Sequence, residues 1–92
     1  MMMTAMVKCL RALADENRLR ILMLLREGDR CVLELVGALG ISQPLASSHL
    51  AVLREEGVVA TRREAQTVRY RIADPAAVKV VATLAEIFCP PG

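Results

Sequence analysis

Hydrophobic residues recur at helical spacing through the first third of the chain. Met6, Leu10 and Leu13 fall roughly in line along a helix predicted over residues 4–14. A second helix is predicted over residues 18–26, where apolar residues point in nearly every direction. A helix that is apolar all round is a buried one. The pattern therefore places the second helix at the centre of the fold.

Two further helices follow in close succession. The pattern predicts a third helix over residues 32–39 and a fourth over residues 42–56. Ser42 suits the N-cap of the fourth helix, and Pro44 suits its first turn, where a missing N–H does no harm. The predicted inward positions of that helix are Ala46, Leu50 and Leu53. Two helices joined by so short a turn, the second polar on its outer side, indicate a helix-turn-helix.

The hydrophobic period changes from helical to two beyond residue 57. Residues 58–63 and 68–72 are rich in β-branched side chains and flank a polar tip at 64–67, which predicts a β-hairpin. Asp-Pro at 74–75 predicts the start of a last helix, which ends at Cys89. The fold class is thus mainly α with a β-hairpin wing. It is a winged helix-turn-helix in the order α1-α2-α3-α4-β1-β2-α5, in one domain over residues 1–92.

The chain holds more apolar residues than one small core requires. Hydrophobic residues make up 54% of its 92 positions, and the mean hydropathy is +0.39. On the last helix they cover about half of the circumference, against the usual stripe of roughly 100°. These positions are Val78, Val80, Val81, Leu84, Ala85, Ile87 and Phe88. We therefore expect a homodimer that buries the first and last helices together.

Charge and composition narrow the range of functions. The net charge is only +2, but a stretch of ten residues in the predicted hairpin contains four arginines: Arg62, Arg63, Arg69 and Arg71. They cannot all point one way, because alternate strand residues face opposite sides. An aromatic content of 2% argues against stacking single-stranded nucleic acid. No apolar run reaches the length of a membrane span, so a cytoplasmic protein is expected.

Several segments together resemble the ArsR/SmtB family of bacterial repressors. They are LADENRLRIL at 13–22, ISQP at 41–44, SHL at 48–50, LREEG at 53–57 and VRYRI at 68–72. The resemblance covers roughly residues 7–89. It implies a homodimer that binds double-stranded operator DNA and leaves it when an inducer binds a second site.

The residues expected to contact DNA lie on the fourth helix and the hairpin. Gln43 can bond adenine through two hydrogen bonds, and serine hydroxyls can bond bases or phosphates. His49 is open to two interpretations, a DNA contact or packing beside Leu50. At Leu45 the family often has a polar or basic residue, so this position departs from its pattern. The candidate DNA-binding residues are Ser42, Gln43, Ser47, Ser48, His49, Arg54, Arg62, Arg63, Gln66, Thr67 and Arg69.

The inducer is expected to act on Cys31, Cys89 and Cys9, because thiolates are the only soft ligands of this chain besides methionine. No cofactor is expected to be needed for folding. The resemblance implies an arsenic-type Cys-Val-Cys at the start of the third helix. Cys31-Val32-Leu33 keeps only its first cysteine, so the other thiols would come from elsewhere, including the partner subunit. Arsenite, antimonite or another thiophilic ion is the leading candidate inducer. A zinc site on the last helix is excluded, because that helix has no histidine.

A second branch of the family offers an alternative inducer. Residues 59–67 and 87–89 resemble its redox- and persulfide-sensing members, in which a cysteine ending the last helix pairs with one in the second helix. Cys89 matches the former, but Met23 stands near the place of the latter, so Cys31 would have to substitute. An oxidant or a reactive sulfur species therefore stays open as the signal.

Two other classes of function compete with a repressor. A thiol enzyme would need a base beside its cysteine, yet the only histidine lies on the predicted DNA-reading helix. We therefore expect no enzymatic activity. A winged-helix module that binds only proteins would leave the polar side of the fourth helix and the hairpin arginines without a purpose.

Overall fold

The computed structural model describes residues 2–89 as five helices and one antiparallel hairpin. In chain order they are α1 (Met2–Leu13), α2 (Glu16–Leu25), α3 (Val32–Leu39), α4 (Gln43–Glu55), β1 (Val59–Glu64), β2 (Thr67–Ile72) and α5 (Pro75–Phe88). The order confirms the predicted winged helix-turn-helix, with α3 and α4 as the helix pair and β1–β2 as the wing. Within residues 2–89 no single helix is both long and apolar enough to span a membrane, and only the bent pair α3–α4 passes that test jointly.

The local sequence sets where the helices near the predicted DNA-reading surface begin and end. The Ser42 hydroxyl accepts the backbone N–H of Leu45 at 3.2 Å, which confirms the N-cap of α4. Asp74 caps α5 in the same way, accepting the N–H of Ala76 at 2.9 Å. Helix α3 ends at Gly40, whose φ of 68° is a left-handed conformation that glycine adopts without strain. The chain then turns directly into α4.

Helix α2 occupies the centre of the core, as its all-round hydrophobicity predicts. It packs against α1, α3, α4, α5 and β2. The largest fully buried side chains are Ile21, Leu22, Leu35, Leu50, Leu53, Val58 and Val81. The predicted inward stripe of α4 is confirmed, since all three of its members are buried. Of the apolar positions on α5 from which a dimer face was expected, Val81 does not face a partner, because it is fully buried in its own protomer's core.

The wing is a β-hairpin with a two-residue turn, and backbone hydrogen bonds join it to the segment before α3. Glu64 pairs with Thr67, so the turn is shorter than the predicted tip and Thr67 belongs to β2. Beyond the hairpin, Arg30 and Tyr70 exchange backbone hydrogen bonds of 3.1 and 2.8 Å, which anchors β2 to the segment before α3. Because Arg62 lies opposite Arg69, these two share one face of the hairpin, and Arg63 occupies the other. The four arginines are divided as predicted.

Candidate nucleic-acid interface

Helix α4 presents a polar surface away from the core. Gln43, Ser47, Ser48 and Arg54 are all exposed, and we call these four residues the α4 polar face. The first turn of α4 contains no acidic residue, so the positive end of the helix is left unneutralised. Short hydrogen-bonding side chains at such a helix start suit the base edges and phosphates of a nucleic acid.

A groove of about 430 Å³ separates this face from the wing. Its lining residues are Ser47, Leu50, Ala51, Arg54, Glu55 and Tyr70. Tyr70 comes from β2 and was not among the residues predicted to contact DNA. The sequence signal for this position is that Tyr70 lies between Arg69 and Arg71 on the strand and so faces the side opposite to theirs. The groove therefore combines side chains of the recognition helix and the wing on one surface.

Two of the wing arginines are held by carboxylates of the same protomer. Arg62 donates from Nη1 to Glu64 Oε2 at 2.9 Å and from Nε to Asp29 Oδ2 at 3.2 Å. These two hydrogen bonds raise the pKa of Arg62, that to Glu64 contributing most. Arg69 donates from Nη2 to the Asp29 carbonyl at 2.8 Å, and its Nη1 lies 3.5 Å from Glu34 Oε1. Their positive charges are thus largely compensated within the fold.

Other basic side chains have no such compensation. Within residues 2–89, the guanidinium groups of Arg54 and Arg63 have no hydrogen-bond or ion-pair partner, and both residues are exposed. Gln66 at the hairpin turn and the neighbouring Thr67 are exposed as well. Arg54 on the α4 polar face and Arg63, Gln66 and Thr67 on the wing are therefore accessible to phosphates.

His49 lies against the start of α2 and not on the α4 polar face. Its side chain is only 12% exposed, with Nε2 at 3.7 Å from Asp15 Oδ1 and Nδ1 at 3.5 Å from Arg18 Nη1. Asp15 also accepts the backbone N–H of Arg18 at 3.1 Å, and this bond is the main reason that its pKa is lowered. The structure therefore favours the packing interpretation of His49, which links the recognition helix to α2.

The three cysteines have separate surroundings within the protomer. Cys31 is the N-cap of α3, and its backbone N–H donates to Glu34 Oε1 at 2.9 Å, which lowers the pKa of Glu34. Cys9 is partly buried on α1, and burial followed by the charge of Asp74 raises its pKa. Cys89 is exposed at the end of α5. Among residues 2–89 no group of three metal-ligating side chains comes together.

Cys89 borders an apolar cavity of about 300 Å³ between α2 and α5. The cavity is lined by Leu19, Met23, Val81, Leu84, Ala85, Phe88 and Cys89. The position at which the redox-sensing branch would place a second cysteine, Met23, thus lies in the same cavity as Cys89. Cys31 is not among the residues around this cavity.

A set of apolar side chains on α1 and α5 is exposed. We call it the α1/α5 apolar face; its members are Met2, Met3, Met6, Leu10, Val78, Ile87 and Phe88. Met6 and Leu10 were predicted to share one side of α1 with Leu13, yet only Leu13 reaches the protomer core. Met6 and Leu10 are 55% and 57% exposed, so residues 2–89 leave more than half of each uncovered.

Comparisons with known proteins agree with this geometry. The family model described as "Bacterial regulatory protein, arsR family" matches residues 15–61. The HTH-type transcriptional repressor SmtB of Mycobacterium tuberculosis is 52% identical over 65 residues, which are 71% of this chain. The chain spans about half of that repressor's length, 48%.

Solved structures match over nearly the whole chain. HlyU from Vibrio cholerae superposes with a TM-score of 0.90 at 40% identity, covering 94% of each chain, and its reduced form matches equally well by TM-score. The homodimeric winged helix-turn-helix DNA-binding domain Mb0332 from Mycobacterium bovis gives a TM-score of 0.85 at 32% identity. That match covers 94% of this chain and 80% of the other.

Proposed function

Because this chain belongs to the arsR family of bacterial regulatory proteins, we propose that it is a homodimeric transcriptional repressor that binds double-stranded operator DNA. The observation that carries the proposal is the α4 polar face, which is exposed beside a groove and includes the uncompensated Arg54. In this arrangement Gln43, Ser47 and Ser48 bond base edges in the major groove. Arg54 and Arg63 bind phosphates, which set affinity and salt dependence.

Binding to duplex DNA is tested by titrating the full chain into a labelled pool of duplexes with a randomised centre. We expect a shifted complex whose affinity falls steeply between about 50 and about 200 mM salt, because bound phosphates release counterions. Repeated selection from the pool should enrich one motif with two half-sites. A protein-interaction module would shift no duplex, so the absence of any complex at low salt would contradict the proposal.

The α1/α5 apolar face supports a homodimer. The protomer leaves seven large apolar side chains of α1 and α5 exposed, and soluble proteins commonly cover such surface with a partner. A dimer with its two-fold axis through this face contains two copies of α4. Half-sites about one helical turn apart, roughly 34–36 Å, would then match the two copies. The homodimeric state of the Mycobacterium bovis domain is in keeping with this assembly.

Release from DNA is proposed to depend on the cysteines, with a thiophilic metalloid as the leading signal. Since Cys9, Cys31 and Cys89 have different neighbours within a protomer, a three-thiolate site would draw ligands from both subunits. Cys31 is the cysteine with a connection to the wing: Glu34 accepts its N–H at 2.9 Å and also lies 3.5 Å from Arg69. A ligand on Cys31 would disturb this contact and so shift the wing relative to α4.

The alternative signal is an oxidant or a reactive sulfur species acting through Cys31 and Cys89. Two observations favour it: Cys89 is exposed beside the apolar cavity, and the HlyU structures that match 94% of this chain include a reduced form. An exposed thiol is open to such reagents. Because Met23, and no second cysteine, lines the cavity beside Cys89, a disulfide would have to join Cys89 to Cys31 or to the partner subunit's thiols.

Cysteine variants separate the two signals. We expect arsenite to release the parent protein from its selected duplex and Cys9→Ser to abolish that response while sparing release by diamide or tetrasulfide. Either signal should fail with Cys31→Ser or Cys89→Ser. A triple Cys→Ser variant that binds DNA and is still released by the same reagent as the parent would remove thiol sensing from the proposal.

A further inference from the structure

Leu45 is an exposed apolar residue in the first turn of the recognition helix. Its side chain is 39% exposed, although the surrounding α4 polar face consists of hydrogen-bonding and basic residues. Its backbone N–H is fixed by the Ser42 hydroxyl at 3.2 Å, so the first turn that carries it is well defined. Leu45 is not among the side chains that form or pack against the protomer core, and it lies on a different helix from the α1/α5 apolar face.

The position of Leu45 relates it to Ser48. Residues three apart on a helix are neighbours on its surface, so Leu45 and Ser48 occupy adjacent positions on α4. Gln43, Ser47 and Arg54 lie on the other flank of α4, where Ser47 and Arg54 line the groove beside Tyr70. Gln43, Ser47 and Arg54 thus lie on one flank of the helix, whereas the other flank pairs the Ser48 hydroxyl with an apolar side chain.

We infer that Leu45 reads a thymine in each half-site by packing against its C5-methyl group, an inference that rests on the proposed DNA binding. The thymine methyl is the apolar group that base pairs present in the major groove, where N-terminal residues of a recognition helix contact base edges. The Ser48 hydroxyl beside Leu45 can bond the polar edge of the same or the adjacent pair. Leu45 thereby adds a specificity for thymine that hydrogen-bonding side chains alone would not give.

The test uses the duplex that the full chain selects from a randomised pool, with each thymine replaced in turn by uracil. This substitution removes only the methyl group and leaves the hydrogen-bonding edge intact. We expect one thymine per half-site at which uracil weakens binding about fourfold, or about fifteenfold when both half-sites are changed. At that position Leu45→Ala should bind the thymine and uracil duplexes equally.

Leu33→Ala is the matched control, since Leu33 is 64% exposed but lies on α3. This variant should retain the full preference for thymine over uracil. Equal binding of the parent to every uracil-substituted duplex, or a thymine preference that survives Leu45→Ala, would overturn the inference while leaving the proposed DNA binding intact. If the parent selects and binds no duplex at all, both the proposed function and the inference are overturned.

Discussion

A charge placed on the α1/α5 apolar face should dissociate the proposed dimer without unfolding the protomer. Ile87 is 62% exposed in the isolated chain. Full burial of an isoleucine side chain stabilises by roughly 1.5–3 kcal/mol, so covering the exposed part is worth about 1–2 kcal/mol per copy. Two-fold symmetry doubles this to about 2–4 kcal/mol. In Ile87→Glu, an unpaired carboxylate at the interface adds several kcal/mol more.

The dimer dissociation constant of Ile87→Glu should therefore rise by at least about a hundredfold. Sedimentation velocity over a dilution series measures this change, and circular dichroism checks that the helices persist. Leu33→Glu is the control, because it places the same charge on an equally exposed leucine of α3. If Ile87→Glu stays dimeric at the dilution at which the parent dimer persists, the assigned interface is wrong. Val81 is unsuitable for this test because its substitution would disrupt the protomer core.

Three further predictions concern stability and DNA binding. Ser42→Ala removes the N-cap of α4 and should lower the free energy of unfolding by about 1 kcal/mol, measured by denaturant titration. Arg63→Ala should lower the salt slope of DNA binding by about 0.9 per copy, whereas Arg62→Ala should lower it less because Arg62 is already paired with Asp29 and Glu64. The pKa of Asp15 is lowered in the folded state, so its stabilising contribution is present above about pH 4 and is lost as the pH falls further. Asp15→Asn should therefore make the unfolding free energy less dependent on pH in that acidic range.

Each of these predictions has an outcome that would contradict it. An unchanged unfolding midpoint in Ser42→Ala would mean that the hydroxyl contributes nothing to the helix start. Equal salt slopes for the two arginine variants would mean that the ion pairs of Arg62 open when DNA binds. A pH dependence unaltered by Asp15→Asn would assign the acid sensitivity to other carboxylates, of which Glu34 is the next candidate because its pKa is also lowered.

The regular elements of this fold were predictable because their signals are local in sequence. The Ser42 side chain accepts the backbone N–H of a residue only three positions later. The buried side of α4 follows from apolar residues that recur at intervals of four and three positions. The hairpin was predictable because the spacing of hydrophobic residues changes from helical to every second residue over about a dozen positions. Boundaries moved where the signal was weak: α1 begins at Met2, before its predicted start, and the hairpin turn contains two residues instead of four.

The site was predictable only where exposure alone decides a residue's role. Gln43, Ser47 and Ser48 needed nothing beyond the helical period to be placed outward. His49 could not be placed in this way, because its partners Asp15 and Arg18 are more than thirty residues away in sequence. Arg62 is similar, since Asp29, 33 residues before it, compensates its charge.

Apolar positions on α5 show a second limit of sequence reasoning. Val81 and Ile87 are both apolar residues on a helix that is hydrophobic over about half of its circumference. The helical period identifies that broad side but does not divide it between the protomer's own core and a partner. Packing against α2 makes the division, burying Val81 and leaving Ile87 exposed.

The most direct test of the account is whether duplex binding depends on the α4 polar face. Ser48→Glu places a carboxylate there, where it would meet the negative charge of DNA, while Leu33→Glu places the same charge on α3. In a fluorescence anisotropy titration of the selected duplex, the account predicts that the parent and Leu33→Glu bind and that Ser48→Glu loses at least about a hundredfold in affinity. Equal binding by the parent and Ser48→Glu, with both folded and dimeric, would contradict the assignment of α4 as the DNA-reading helix.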